Sequence, residues 1–385
     1  MSPARRRVTI LQRRLVSYRV GLFEMLRQRC EQHDVELRLV YGQPSPMDAK
    51  RQDAASLPWA DEVDARWFSV RGTELLWQPL PRPARDADLI VMTQENRILS
   101  NLPLLAARAA GRGPLLGYWG HGRNLQSAST DTLSERWKEL LSTRVDWWFA
   151  YTGQTRDILT TNGFPAERVT VLDNAIDNEA FEHDLAAVTD EHLDRLRAEI
   201  DLSPDGWLGF YCGALYEDKR VELLVDVAER IHRQEPGFRL VVVGDGPVRT
   251  RLERLMEPYP WAHWVGQKQG LEKAAWFRLA DVLLTPGVVG LHVLDAFTAG
   301  VPLFTASSTL HGPEIDYIDN GVNGFILDDD HPEPMAREVL SVLRDPDRMA
   351  AVVEAGRKAA DRYTLANMAD NFVAGIVHCL DRGRR

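Results

Sequence analysis

Strand-length apolar runs alternate with helix-period segments along nearly all of the 385 residues. A strand reaches a parallel neighbour only through a crossover of a dozen or more residues, usually a helix. The alternation therefore predicts parallel sheets with helices on both faces. In the first half the expected strands are 8–11, 35–41, 89–93, 115–119, 147–151 and 169–172. In the second half they are 208–212, 240–243, 264–265, 282–285, 303–305 and 325–327. Helices are expected between them, among others at 21–32, 134–142, 222–233 and 247–256. The segment 177–205 is charged, strand-poor and mostly helical, and separates the halves. The reading is α/β, with two doubly wound Rossmann-like domains at 1–190 and 191–363. A last helical segment, 364–385, is expected to return to the first domain. Such domains bind ligands outside the carboxyl ends of their strands, here in a cleft between the two.

Composition and charge narrow the function classes. The net charge is −10, yet the first 30 residues carry eight arginines and one glutamate, a local +7 that leaves −17 elsewhere. That balance speaks against nucleic-acid binding. The basic start is either a solvated tail or a contact for an anionic membrane surface or acceptor. No apolar run approaches the roughly 20 residues that span a bilayer, and the start does not read as a secretory signal. Three widely spaced cysteines suit a reducing compartment rather than a disulfide scaffold or zinc cluster. The expected location is cytoplasmic, with peripheral contact at the inner membrane face as an option.

Three stretches carry chemistry. The first, TPGVVGLHVLDAFTAGVPLFTA at 285–306, ends a buried strand on Pro286, Gly287 and Gly290 and then opens a helix holding His292 and Asp295. It is either a plain crossover with turn glycines or an anion site, since a helix start offers free N–H groups and a positive dipole end. The second, LGFYCGALYEDKRVELL at 208–224, runs from a strand through Gly213 to Lys219 and Arg220, which could neutralise a diphosphate. The third, LVVVGDGPVR at 240–249, imitates a dinucleotide fingerprint but has Arg249 where the third glycine belongs, so a dehydrogenase is disfavoured.

GALYEDKR, VVVGDGPVR, GQKQGLEKAAWFRLADVLLTPG and GLHVLDAFTAGVPL follow one another in order. Together, over about 205–330, they resemble the nucleotide-sugar-binding half of the GT-B glycosyltransferases, in particular the retaining family-four group (glycosyl transferases group 1), in a PGxVGL variant. SYRVGLFEML, YWGHGRN and VLDNAID extend the resemblance more weakly into the first half. The resemblance implies sugar transfer from a nucleoside diphosphate, UDP first and GDP second, to an acceptor hydroxyl, with retention and without metal. Lys219 and Arg220 are then the cations on the diphosphate. The amides around Gly290, Leu291 and His292 cradle phosphate, and Asp295 stands where the family has a ribose-binding glutamate. Gly213, Gly266 and Gln267 line the donor and base pocket. The chain departs from the pattern twice. Ala214 stands for the usual arginine, for which Arg220 is the nearest substitute. Gly287 stands for the usual sugar-contacting glutamate, which puts sugar recognition in doubt.

For the acceptor half the resemblance implies His121 as the active-site histidine, with Arg123 and Asn124 beside it. Tyr18, Arg19, Glu95 and Asn96 follow strands and are acceptor candidates. Glu314 opens a helix, as a dipole carboxylate or a sugar contact. Asp86 and Asp88 form a DxD pair that precedes a strand and reads as turn residues rather than a metal site. The acceptor is a glycan, a lipid-linked precursor or a small molecule. The alternatives are a non-catalytic nucleotide-sugar binder, motivated by Ala214 and Gly287, and a sugar-nucleotide epimerase.

Overall fold

A computed structural model describes residues 5–45, 53–70, 73–122, 143–307, 310–328 and 331–383. The expected helix at 134–142 lies outside them, as do Arg123 and Asn124. The chain divides into two compact units, Met1–Ile176 with Leu365–Arg385, and Asp177–Thr364.

Unit 1 holds β1 (Arg6–Gln12), β2 (Val35–Gly42), β3 (Asp61–Val63), β4 (Arg66–Val70), β5 (Thr73–Trp77), β6 (Leu89–Thr93), β7 (Leu115–Gly120), β8 (Trp147–Ala150) and β9 (Val169–Val171). Seven of them form one sheet in the order β3-β2-β1-β6-β7-β8-β9, and every neighbouring pair is parallel. Central β1 is buried from Val8 to Leu11, as a strand covered on both faces must be. The order reverses between β1 and β6. β4 and β5 form a separate antiparallel hairpin. Several of its apolar side chains face solvent, with Phe68 47% and Val70 51% exposed, while Leu76 is buried, so core periodicity does not announce it.

The helix Leu365–Arg382 belongs to unit 1 because an aromatic cluster holds it there. Phe372 stacks on Phe149 of β8 at 4.5 Å and meets Trp119 of β7 edge-on at 5.1 Å. Gly375 lets the helix approach closely, since a Cβ there would lie 2.6 Å from Thr170 Oγ1. Five of the eight arginines at the chain start have acidic partners. Arg6 pairs with Asp381, Arg13 with Glu95, Arg14 with Asp53, Arg27 with Glu31 and Arg29 with Asp370. Most of that charge is neutralised within unit 1.

Unit 2 holds β10 (Leu208–Cys212), β11 (Arg239–Val243), β12 (Ala262–Trp264), β13 (Val282–Leu284), β14 (Leu303–Ala306) and β15 (Phe325–Leu327). They form one sheet in the order β12-β11-β10-β13-β14-β15, parallel throughout. The helix Val221–Gln234 turns Val221, Leu224, Ala228 and Ile231 inward, toward Met335, Val339 and Leu340 of the helix Pro332–Leu343. The boundary expected at residue 190 lies instead at Ile176/Asp177. The helix Asn178–Ala187, whose first turn is capped by Asp177, places Phe181 edge-on to Phe277 at 5.3 Å. Phe277 in turn packs on Phe210 of β10. This helix therefore belongs to the second core. No described helix is long and apolar enough to cross a membrane.

At the amino edge of unit 2, the Leu208 N–H donates to Asp281 Oδ2 at 2.7 Å. Burial pushes the Asp281 carboxyl up to about 6, against the opposing pull of that hydrogen bond and of Arg197. The folded chain therefore binds this proton more tightly than the unfolded chain. On this group's account stability is greatest below about pH 4, falls as pH rises, and is lost once pH has passed about 6. Asp281→Asn keeps an acceptor for Leu208 and removes the titration. Chemical denaturation should find the variant more stable than wild type by roughly 1–3 kcal/mol at pH 8, with the gap closing near pH 4.

Candidate functional site

The strand order of unit 2 reverses between β10 and β13, the point at which open α/β sheets bind ligands. Two loops leave the sheet there, and they are bonded to each other. The Val288 N–H donates to Asp218 O at 3.0 Å, and Lys219 Nζ donates to Val288 O at 2.6 Å. Gly287 permits this contact. A Cβ on it would lie 2.3 Å from Asp218 O and 2.5 Å from Lys219 Cα. Gly287 was expected among the donor-binding residues; the structure gives it the task of seating one loop on the other. Gly290 differs, because a Cβ there meets nothing within 4 Å.

A second clasp comes from His311, which the sequence reading missed. The Val289 N–H donates to His311 Nδ1 at 3.1 Å, and Nε2 bonds Ala306 O at 2.8 Å. An accepting Nδ1 puts the proton on Nε2. Burial lowers the His311 pKa, which keeps the ring in that neutral form. Glu314 is buried in the short turn Pro313–Tyr317, and its charge raises the Lys219 pKa against a larger lowering by burial.

The loop after β13 leads into the helix His292–Ala299, whose N-cap Leu291 makes no side-chain capping bond. The Val293 and Leu294 N–H groups turn back to the Gly290 and Leu291 carbonyls. Those of Leu291 and His292 have no acceptor among the described residues. His292 Nε2 is also buried without a partner. Burial, then the charges of Lys219, Lys273 and His311, hold the His292 pKa down to about 3. The loop and helix start around Gly290 thus carry a neutral imidazole and backbone N–H groups without an acceptor among the described residues, with the Lys219 ammonium bonded to Val288 two residues before Gly290, and groups of these kinds can donate to an anion.

Arg220, expected as the second cation, has a left-handed backbone, φ 54° and ψ 52°, and lines a surface pocket with Glu217, Glu222 and Asp226. Asp295, expected on the ribose, is buried and bonded through Oδ1 to Lys273 Nζ at 2.7 Å. The sequence reading missed Lys273, because a partner one helix away leaves no local spacing signal.

The glycines of GDGPVR also have packing roles. A Cβ on Gly244 would lie 1.9 Å from Gly213 O, and one on Gly246 would lie 2.3 Å from Leu215 O. These approaches draw the loop after β11 against Gly213 and the loop after β10. Gly266 O accepts the Gly244 N–H at 2.9 Å, and Gln267 beside it is exposed. Both lie at the carboxyl edge, beyond β12.

In unit 1, His121 follows β7 at the same kind of edge. Gly120 before it lets Gln94 approach, since a Cβ there would meet Gln94 Cβ at 2.9 Å; Gly122 after it has φ 76°. The exposed His121 ring lies 4.5 Å from that of Tyr151. Crowding around the ring and the charge of Arg19 lower its pKa. Arg19, expected as an acceptor contact, is 5% exposed. It donates to Asn174 Oδ1 at 2.6 Å and to Ala175 O at 3.4 Å, and lies over the rings of Tyr18 and Trp119. It is a clamp between loops. Tyr18 is 46% exposed. Glu95 pairs with Arg97 and Arg13, and Asn96 beside it is exposed. Asp88 lies at the opposite edge, where its Oδ2 accepts the Arg7 N–H at 2.7 Å. No group of three or more potential metal ligands occurs among the described residues.

The two glycines of the β13 loop give a contrast that denaturation and nucleotide titration can read. Gly287→Ala drives a methyl group into backbone and should destabilise unit 2 by about 1–3 kcal/mol. Gly290→Ala should leave stability within about 0.5 kcal/mol, while weakening any anion that approaches the helix start.

Residues 194–359 match the family model described as glycosyl transferases group 1. Among curated relatives, the sulfoquinovosyl transferase SQD2 of Arabidopsis thaliana is 25% identical over 217 residues, 54% of this chain and 39% of its own length. The D-inositol 3-phosphate glycosyltransferase of Segniliparus rotundus is 28% identical over 198 residues, 49% of this chain and 43% of its own length. The chain thus spans less than half the length of these relatives. Among solved structures, Anabaena HepE in complex with UDP-glucose superposes with a TM-score of 0.66 at 14% identity, over 96% of this chain and 99% of that one. The two parallel-sheet units have the GT-B fold, and residues 194–359 are similar to the glycosyl transferases group 1 family.

Proposed function

We propose that this chain is a glycosyltransferase that moves a sugar from a nucleoside-diphosphate sugar to an acceptor hydroxyl, with retention and without a metal ion. The observation that carries the reading is the uncapped helix start after the open Gly290, with the unpartnered His292 Nε2 on its first residue and Lys219 bonded to Val288 of the loop that leads into it. Sugar transfer from a diphosphate leaves growing negative charge on the leaving group. Preorganised donors in a desolvated site stabilise that charge as a metal would. Lys219 supplies full charge, His292 a neutral N–H, and Leu291 and His292 their backbone N–H groups. Asp295 receives the ribose and the loop after β12, with Gly266 and Gln267, the base.

In a retaining reaction the departing phosphate accepts the acceptor's proton on the face it leaves, so no strong protein base is required. His121, held neutral, then hydrogen-bonds the sugar. Tyr18 and Asn96, both exposed at the carboxyl edge of unit 1, are the acceptor contacts. UDP is the first choice of nucleotide, supported by the UDP complexes of HepE, and GDP the second. A mannosyltransferase similar to this chain is named as GDP-mannose-dependent and as acting on a phosphatidylinositol dimannoside. A lipid-linked or glycan acceptor follows from names of that kind, and a cytoplasmic protein at the inner membrane face fits it. A small-molecule acceptor is the alternative.

One observation favours a second reading, a nucleotide-sugar binder without turnover. Gly287 offers no carboxylate to the sugar, and its closed packing leaves no room for one.

The test is calorimetric titration of wild type and Lys219→Ala with UDP, GDP, ADP and dTDP. One diphosphate should bind, and the variant should bind it 10- to 100-fold more weakly, as expected for loss of a charge-assisted bond of about 1.5–3 kcal/mol. Hydrolysis or transfer of the matching nucleotide sugar then separates the enzyme from the binder. Absence of binding by all four would sink both readings.

A further inference from the structure

Asp295 is a buried carboxylate of the candidate donor site. It lies on the first turn of the helix His292–Ala299 and is 6% exposed. Burial raises its pKa, and the charge and hydrogen bond of Lys273 oppose that rise. One oxygen, Oδ1, accepts from Lys273 Nζ at 2.7 Å. The other makes no hydrogen bond among the described residues, yet it is not among their buried atoms that lack a partner. It is therefore open to a donor from outside the protein.

Lys273 is itself held from several sides. It stands on the helix Gly270–Leu279, and its ammonium lies 4.5 Å from the centre of the Phe181 ring and 5.8 Å from that of Phe277. Two aromatic faces and one carboxylate leave it little freedom. Other titratable groups surround the pair. Cys212, at the end of β10, responds to both charges and is pushed up to about 12, chiefly by burial. His292 shares the helix with Asp295 and is kept neutral. Asp184, on the helix Asn178–Ala187, lies beside Gly270. Arg357, on the helix Pro346–Ala360, lies against Gly300 at the other end of the Asp295 helix. Lys273 is the one charge bonded to Asp295 among the described residues.

Resting on the donor-site reading of unit 2, we propose that Lys273 is a positioning residue for the donor ribose: by holding one oxygen of Asp295, it turns the other to accept the ribose hydroxyls. An aspartate is one methylene shorter than a glutamate, and an unanchored short carboxylate in this pocket would turn both oxygens toward whichever donor lies nearest. The ammonium removes that choice. Its charge and hydrogen bond also oppose the rise that burial imposes on the Asp295 pKa, favouring the carboxylate over the protonated acid, a weaker acceptor.

The experiment compares UDP with 2′,3′-dideoxy-UDP, by calorimetry, on wild type, Lys273→Met and Lys273→Arg between pH 5.5 and 8.5. GDP and its dideoxy analogue replace them if GDP is the diphosphate bound. Wild type should prefer the ribonucleotide at least 10-fold, evenly across this range. Lys273→Met should bind both with a ratio near 1 at pH 5.5, part of the preference returning as pH rises and Asp295 ionises. Lys273→Arg should restore the preference. If Lys273→Met does not fold, Lys273→Gln, which keeps a hydrogen-bond donor without the charge, takes its place with the same expected pH dependence. A merely structural lysine would weaken both nucleotides equally and leave the ratio unchanged, and that result overturns the proposal while the donor site stands. Wild type that binds the diphosphate without preferring the ribose also overturns it. Wild type that binds neither diphosphate overturns the donor-site reading and the proposal with it.

Discussion

Unit 2 depends on one backbone contact, the seating of the loop after β13 on the loop after β10. Val288 is gripped at both polar groups, its N–H by Asp218 and its carbonyl by Lys219. The contact requires that residue 287 have no side chain. It fixes where the helix His292–Ala299 begins, and hence where its free N–H groups point. His311 clasps the next residue, Val289, and ties it to β14 through Ala306. Two successive residues of one loop are thus anchored to the strands on either side of β13. A helix start held in this way meets an anion without reorganising, which is the condition for electrostatic stabilisation at small cost.

Buried charge is handled in two ways. In unit 2, Lys273 and Asp295 offset one another and the nearby aromatic rings enclose the ammonium. In unit 1, Arg19 is buried against Asn174, the Ala175 carbonyl and a set of aromatic rings. Buried ions are weak devices for stability but strong ones for geometry, because each bonded partner restricts where the next can lie. Arg19 ties the loop after β1 to the segment after β9, and through Met368 to the returning helix. That arrangement explains why an arginine in a loop at a sheet's carboxyl edge has become part of the framework.

The sheets were legible because their central strands are continuous apolar runs. The strands at 89–93, 208–212 and 325–327 coincide with their expected limits, and the rest of those expected differ by a residue or two at an end. The unexpected elements are those with little apolar interior. β3 is a polar edge strand, and the β4–β5 hairpin leaves Phe68, Val70 and Trp77 exposed and buries only Leu76 fully. The boundary moved from 190 to 176 because Phe181 reaches a core partner nearly a hundred residues away, at Phe277. The arginine-rich start read as a basic surface because its partners, Asp370 and Asp381 among them, stand at the other end of the chain.

By itself the sequence determined the class of fold, the order of strands and helices, and which loops lie at the carboxyl edges, since these follow from local periodicity and from glycine at strand ends. It also marked Lys219, Gly290 and His292, because strand, loop and helix start adjoin in the chain. Only the tertiary structure decided that Lys219 bonds the Val288 carbonyl, that Gly287 serves packing, and that Asp295 is held by Lys273. Those outcomes depend on which backbone atom or charge lies across a few ångströms of space, and that information is shared between segments far apart in the chain.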